Sequence, residues 1–181
     1  TRSDRDWSSD VCSSDLPRPG RNVLNAGISG ARVVESLPFL ESLLAATRGP
    51  LVVLSMGVND AFGEAGAAPE QFAAAYEGLV QAVLADKRRL VLVNLPPLEH
   101  DKPEARRFDA AKVALYNELV AGIADRRGVP LVDVHRLLTA RRAAQGQGQT
   151  VDGVHLSPAA AVAWRDAVYA AALGALERPA P

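Results

Sequence analysis

Apolar residues along this chain fall into four short, nearly unbroken runs, separated by longer stretches in which they recur every three or four positions. The short runs are Asn22–Asn25, Leu51–Met56, Leu90–Leu95 and Pro130–Val134, and each reads as a β-strand. The second and third are almost continuous in Val and Leu, the pattern of parallel strands covered on both faces. The stretches between them read as helices. Over residues 70–86, Phe72, Tyr76, Leu79, Val80, Val83 and Leu84 share one helical face, and Pro69 stands where a first turn tolerates proline. Residues 31–46 carry Val33, Val34, Leu37, Leu40, Leu43 and Leu44, with Pro38 bending or dividing the segment. Residues 104–127 carry Phe108, Leu115, Tyr116, Leu119, Val120 and Ile123 and end at Gly128, a natural C-cap. A last helix has Ser157 as N-cap and Pro158 at its first position, and runs through Val162, Tyr169, Leu173 and Leu176.

Strands alternating with helices predict an α/β chain with parallel pairing, a three-layer α/β/α sandwich. Such sheets bind ligands beyond the carboxyl ends of their strands. The loops after Asn25, Met56, Leu95 and Val134 should therefore ring a site. The linker-like stretches Phe62–Ala68, Pro96–Pro103 and Gln145–Gln149 are too short to separate domains.

Composition alters this picture at one end of the chain. Residues 1–16 are rich in Ser and Asp and show no periodicity, whereas the rest is dominated by Ala, Leu, Val and Arg. Asp6 to Leu16 is also what a sequencing-library adaptor would encode, so residues 1–16 are expected to be a non-native segment, and residues 17–181 the domain. Trp7 and Cys12 then carry no function. Cys12 is the single cysteine, which excludes an intrachain disulfide. The net charge of −1 gives no reason to expect a nucleic-acid partner. No unbroken apolar run approaches the length of a membrane span.

Three short clusters could carry chemistry. Asn25-Ala26-Gly27-Ile28-Ser29-Gly30 follows the first strand, and its glycines let backbone N–H groups face an anion at the start of a helix. Gly57-Val58-Asn59-Asp60 follows the second strand, and Asn59 can offer a side-chain amide there; an ordinary Asn-Asp turn is the alternative. Asp152-Gly153-Val154-His155 precedes the last helix. An Asp three residues before a His can fold back so that its carboxylate meets the imidazole Nδ1–H, the arrangement of a general base and its orienting acid. Asp60 is expected to order its own loop. His135 and His100 read as local or solvated, and Arg126-Arg127 and Arg141-Arg142 as solvated helix faces.

Taken together, in order and on strand ends, these clusters resemble the SGNH (GDSL-type) hydrolase family. Asn25 through Gly30 is similar to its second block, Gly57 through Asp60 to its Gly-x-Asn-Asp block, and Asp152 through His155 to its Asp-x-x-His block. The resemblance covers Asn22 to about Arg178. It implies a flavodoxin-like fold and ester hydrolysis through a Ser-His-Asp triad. His155 would be base and acid, and Asp152 would orient it. The oxyanion hole would take the Gly30 N–H and the Asn59 side chain, with Gly27 competing for the role of Gly30. It implies a small-molecule ester substrate, no cofactor and no metal. Location, oligomeric state and acyl preference are not indicated.

The family's first block, Gly-Asp-Ser at the end of the first strand, has no match. Pro17 to Arg21 leave no room for it before Asn22, and Ser14-Asp15 does not fit it. The expected protein is thus an SGNH hydrolase without its first strand and nucleophile, of marginal stability and little ester hydrolysis. Ser29 and Ser55 are poor substitutes, Ser55 because it should lie inside a buried strand. The competing reading is a non-catalytic ligand- or partner-binding protein on the same scaffold. A nucleotide-binding domain lacks its glycine motifs here. A metallohydrolase would have only Asp60, Asp152 and His155.

Overall fold

The computed structural model describes residues 23–178. The adaptor-like segment, Trp7, Cys12 and Asn22 lie outside them. Three parallel strands form one sheet in the order β1-β2-β3: β1 (Leu51–Ser55), β2 (Arg89–Val93) and β3 (Leu131–Val132). Leu51 to Ser55 pair with Arg89 to Val93 in step, and Leu92-Val93 with Leu131-Val132. The helices are α1 (Leu37–Ala46), α2 (Pro69–Ala85), α3 (Ala110–Arg127), α4 (Val134–Gln145) and α5 (Pro158–Glu177).

One face of the sheet is the larger core. Leu54, Leu90 and Leu92 pack there with Leu40 and Leu44 of α1, Phe72, Tyr76, Leu79 and Val83 of α2, and Val113, Tyr116, Val120 and Ile123 of α3. Phe72 and Tyr116 stack with ring centroids 3.9 Å apart. On the other face Val91, Val93 and Val132 meet Val168 and Ala175 of α5, with Trp164, Ala167 and Ala171 beside them. This is the expected α/β/α sandwich. Alternate residues of each strand serve opposite layers because strand side chains alternate with a period of two.

Several expectations need correction. Val23–Asn25 form no strand; Leu24 is 64% exposed, and no strand among the described residues pairs with it. β1 is not covered on both faces: Val53 is 38% exposed and Ser55 is exposed too. Among the described residues β1 is bonded to β2 along one edge only, and the α5 layer leaves these two positions open. The segment over 31–46 is divided, with a 3₁₀ turn at Val33–Glu35 ahead of α1, whose N1/N2 positions take Pro38. The segment over 104–127 likewise splits into a 3₁₀ turn, Glu104–Arg107, and α3, capped by the Asp109 carboxylate on the N–H groups of Ala111 and Lys112.

Helix α4 has no counterpart in the periodicity reading. Its signals were the Asp133 N-cap, which accepts from Arg136 N–H at 3.0 Å, and Gly146 in the left-handed region at its end. Helix α5 turns a small-residue face to the sheet, burying Ala160, Val168 and Ala175 while Val162 is exposed. Alanine permits the close approach that larger side chains would prevent. Its nine alanines also give it a mean hydropathy of 1.2, so by length and composition alone it could cross a membrane, although Arg165 and Asp166 keep it from being an unbroken apolar run. Here it lies against all three strands and α4. Pro69, Gly128, and the Ser157–Pro158 pair stand where expected.

Candidate active site

The Asp152–Ser157 turn is built by local hydrogen bonds. One carboxylate oxygen of Asp152, Oδ1, accepts the N–H groups of Val154 at 3.0 Å and His155 at 2.9 Å. The other, Oδ2, lies 2.7 Å from His155 Nδ1. A carboxylate can only accept, so the imidazole proton sits on Nδ1 and leaves Nε2 as the basic nitrogen. Burial works against ionising Asp152, but these bonds outweigh it and hold its carboxyl below the usual range. His155 is half exposed, at 51% of its side chain. Gly153 takes φ +108°, and a Cβ there would lie 2.6 Å from Ala105 Cβ. The turn is closed by a Thr150–Leu156 bridge and leads into α5 through the Ser157 cap.

The second pair meets on the β1 side. Gly30 and Asn59 line one pocket of about 230 Å³ together with Arg32, Phe62 and Ala65. Gly30 has φ +76° in a turn closed by Ala31 N–H to Ile28 O. The expected helix does not start there; only the 3₁₀ turn follows. Asn59 Nδ2 donates one proton to Ala31 O at 3.0 Å, which leaves its second N–H for the pocket. Gly27 spends its N–H on Asn25 Oδ1 at 2.9 Å. Of the two competing glycines, Gly30 is the one in the pocket lining.

Asp60 orders this loop as expected. It is fully buried, and its carboxylate accepts the N–H groups of Val33 at 2.8 Å and Val34 at 3.4 Å. Burial pushes its carboxyl above the usual range, against the two N–H groups and the Arg32 charge. The Tyr116 hydroxyl donates to Asp60 O and Ala67 O. The Gly30 turn and the Asn59 turn are thus tied together across some thirty residues of chain.

The loop after β2 bonds to both of these clusters. Asp109 N–H donates to Ala61 O and Phe62 bridges to Phe108 on one side; Glu104 N–H donates to Asp152 O and Glu99 N–H to Gly153 O on the other. Sequence reasoning missed Glu99, which is 1% exposed. Its signal was faint: one acid in a Pro-rich loop. Burial alone would raise its carboxyl, but Lys102, the Thr150 hydroxyl and the Gln149 N–H together lower it to about 2.

A group held below its unfolded value stabilises the fold above that value and loses the effect as pH falls through its folded value. Folding stability is therefore expected to drop by on the order of 3 kcal/mol between about pH 4.5 and pH 2 from Glu99 alone, a one-unit shift being about 1.4 kcal/mol. The lowered Asp133 and Asp152 act in the same sense. Urea unfolding at stepped pH checks this; a flat profile would contradict it.

His135 is not in the site. It lines a separate cavity of about 270 Å³ with Leu98, Val113, Thr139 and Arg142. His100 is exposed. Ser29 sits in the turn beside Gly30, and Ser55, expected to be buried, is exposed at the end of β1. Among the described residues no cluster of His, Cys, Asp and Glu could hold a metal ion.

A family model described as the GDSL-like lipase/acylhydrolase family matches residues 1–163. No curated protein matches the chain. Among solved structures, an alpha/beta hydrolase enzyme from the metagenome of Lake Arreo, Spain, is 23% identical with a TM-score of 0.69, covering 87% of this chain and 74% of that one. An acetyl xylan esterase is 20% identical with a TM-score of 0.73, over 81% and 78% of the two chains. A lipase/acylhydrolase from Enterococcus faecalis is 17% identical with a TM-score of 0.71, over 81% and 73%. At these identities the likeness is one of fold.

Proposed function

Because the chain belongs to the GDSL-like lipase/acylhydrolase family, we propose that its site serves serine ester hydrolysis, with His155 as general base, Asp152 as its orienting acid, and Gly30 and Asn59 as the oxyanion hole. The observation that carries this is the 2.7 Å contact between Asp152 and His155 Nδ1, in a turn tied by the loop after β2 to the segment following Asn59. A serine hydroxyl gives its proton to His155 Nε2 and attacks the ester carbonyl. The carbonyl oxygen takes the negative charge and receives the Gly30 N–H and the second Asn59 N–H. The intermediate collapses, the alcohol leaves with the proton from His155, and water hydrolyses the acyl-enzyme with His155 again as base.

That serine belongs to a Gly-Asp-Ser block, and the 181 residues contain no such triplet. The 181-residue chain is accordingly expected to turn over esters at background. The missing triplet also favours a second reading, a ligand-binding protein on a hydrolase scaffold. Reading the coding sequence upstream of the Pro17 codon separates the two. A strand ending in Gly-Asp-Ser supports the hydrolase, and continuous native sequence without that serine overturns it. Acetyl esters are the first substrates to try, given the small pocket beside Phe62 and neighbours named as acetylxylan esterases.

In the serine-bearing protein, Asn59→Ala is expected to lower kcat by about 10²–10³-fold with KM within a few-fold, the cost of one oxyanion donor. Steady-state kinetics on an aryl acetate decide it; an unchanged kcat would remove Asn59 from the mechanism.

A further inference from the structure

Glu99 meets the Asp152 turn through its backbone N–H, at Gly153 O, while its carboxylate bonds to other residues. Its carboxylate is buried, and a buried ion destabilises the fold unless hydrogen bonds replace its lost water. Here four hydrogen bonds do so. Oε1 accepts from Gln149 N–H at 2.6 Å; Oε2 accepts from Lys102 Nζ at 2.6 Å, from Thr150 N–H at 3.3 Å and from the Thr150 hydroxyl. Arg142 stands 3.6 Å from Oε1 and also pairs with Asp101. Lys102 completes the clamp by donating to the Thr150 carbonyl and hydroxyl. Gly148 keeps the space open, since a Cβ there would lie 2.9 Å from Oε2 and 2.8 Å from Lys102 Nζ.

Most of these bonds are directed at one short segment. Side-chain bonds hold Gln149 and Thr150, and the backbone of Glu99 holds Gly153 O at 2.9 Å. Asp152 lies between the two anchor points. The segment belongs to no helix or strand, so its shape depends on what it is tied to. A displacement of a few tenths of an ångström there would be felt in the Asp152–His155 bond.

We propose that Glu99, clamped by Lys102, is a positioning residue that fixes the turn in which Asp152 holds the His155 imidazole. This rests on the hydrolase reading above. A carboxylate at this place keeps the orienting acid in register without touching substrate.

The test uses the tautomer of His155, read from long-range ¹H–¹⁵N imidazole spectra of the full 181-residue chain above the imidazole's titration. The parent chain is expected to show predominantly the Nδ1–H form. Asp152→Asn, which removes the charged acceptor, is the reference for its loss. Glu99→Gln is expected to lower the Nδ1–H share at least two-fold in a chain that retains its dispersed amide spectrum, with partial recovery in Glu99→Asp. If Glu99→Gln fails to fold, Thr150→Val takes its place, because it removes one hydroxyl and leaves the carboxylate paired with Lys102. A folded Glu99→Gln or Thr150→Val chain with the parent's tautomer share overturns the proposal. If Asp152→Asn also leaves that share unchanged, the Asp152–His155 pairing itself falls, and the hydrolase reading with it.

Discussion

Replacing His155 with alanine in the serine-bearing protein is expected to lower kcat for a short aryl ester by about six orders of magnitude. The size follows from what the imidazole does twice in each turnover. It takes the proton from the nucleophile as the tetrahedral intermediate forms, and gives it to the leaving alcohol. Without it the serine stays protonated near neutral pH, and what remains is the contribution of the oxyanion hole and substrate binding. KM should change little, since the imidazole contributes to the transition state more than to the bound ester.

The variant should fold normally. His155 is half exposed, and Asp152 keeps its backbone N–H partners when the ring is gone. A stability change within about 1 kcal/mol is expected, as for a surface substitution. Steady-state kinetics beside a thermal melt give both numbers. Turnover within ten-fold of the parent would show that ester hydrolysis runs through some other base.

Gly153→Ala is expected to cost about 3 kcal/mol of stability. Two effects add. The backbone stands at φ +108°, where an L side chain costs about 1–2 kcal/mol or more. The added Cβ would also lie 2.6 Å from Ala105 Cβ, 2.9 Å from Glu99 O and 3.1 Å from Ala105 N. These are backbone and Cβ atoms, which cannot swing aside as a long side chain would. For a chain of this size each kcal/mol moves Tm by roughly 2–4 °C, so a fall of about 6–12 °C is expected. Relief by local movement would break the Glu99 N–H to Gly153 O bond and disturb Asp152, so in the serine-bearing protein hydrolysis should fall with Tm. A Tm within 2 °C of the parent would mean that the turn accepts a side chain after all.

The features legible in the chain were those whose cause is local. Phe72, Tyr76, Leu79, Val80 and Val83 announce a helix because 3.6 residues per turn put them on one face, and that face is buried. Asp152, Gly153 and His155 announce their own pairing because a three-residue separation with one glycine lets a carboxylate fold back toward a ring. Helix α4 was missed although its caps, Asp133 and Gly146, are also local, because its apolar positions are few and its arginines suggested only a solvated face. Val23–Asn25 misled in the opposite direction. Apolar residues alone do not make a strand, which exists only where another strand offers hydrogen bonds.

Spacing along the chain thus carried the fold class and the local Asp152–His155 contact, whereas the pairing of the Gly30 turn with Asn59 came only with the family resemblance. It could not carry contacts whose partners are far apart in sequence, since nothing in residue order encodes which of many distant groups will meet. Asp60 reaches Val33 across 27 positions. Arg88, nearly buried, takes the carbonyls of Leu44 and Thr47 at the end of α1. Glu99 reaches Gln149 and Thr150 across 50 and 51 positions. Each of these is a charged group removed from water, stable only because packing of the layers delivers its partners to hydrogen-bonding distance. Folding in three dimensions chose those partners, and with them the rigidity of the turns that hold Gly30, Asn59, Asp152 and His155.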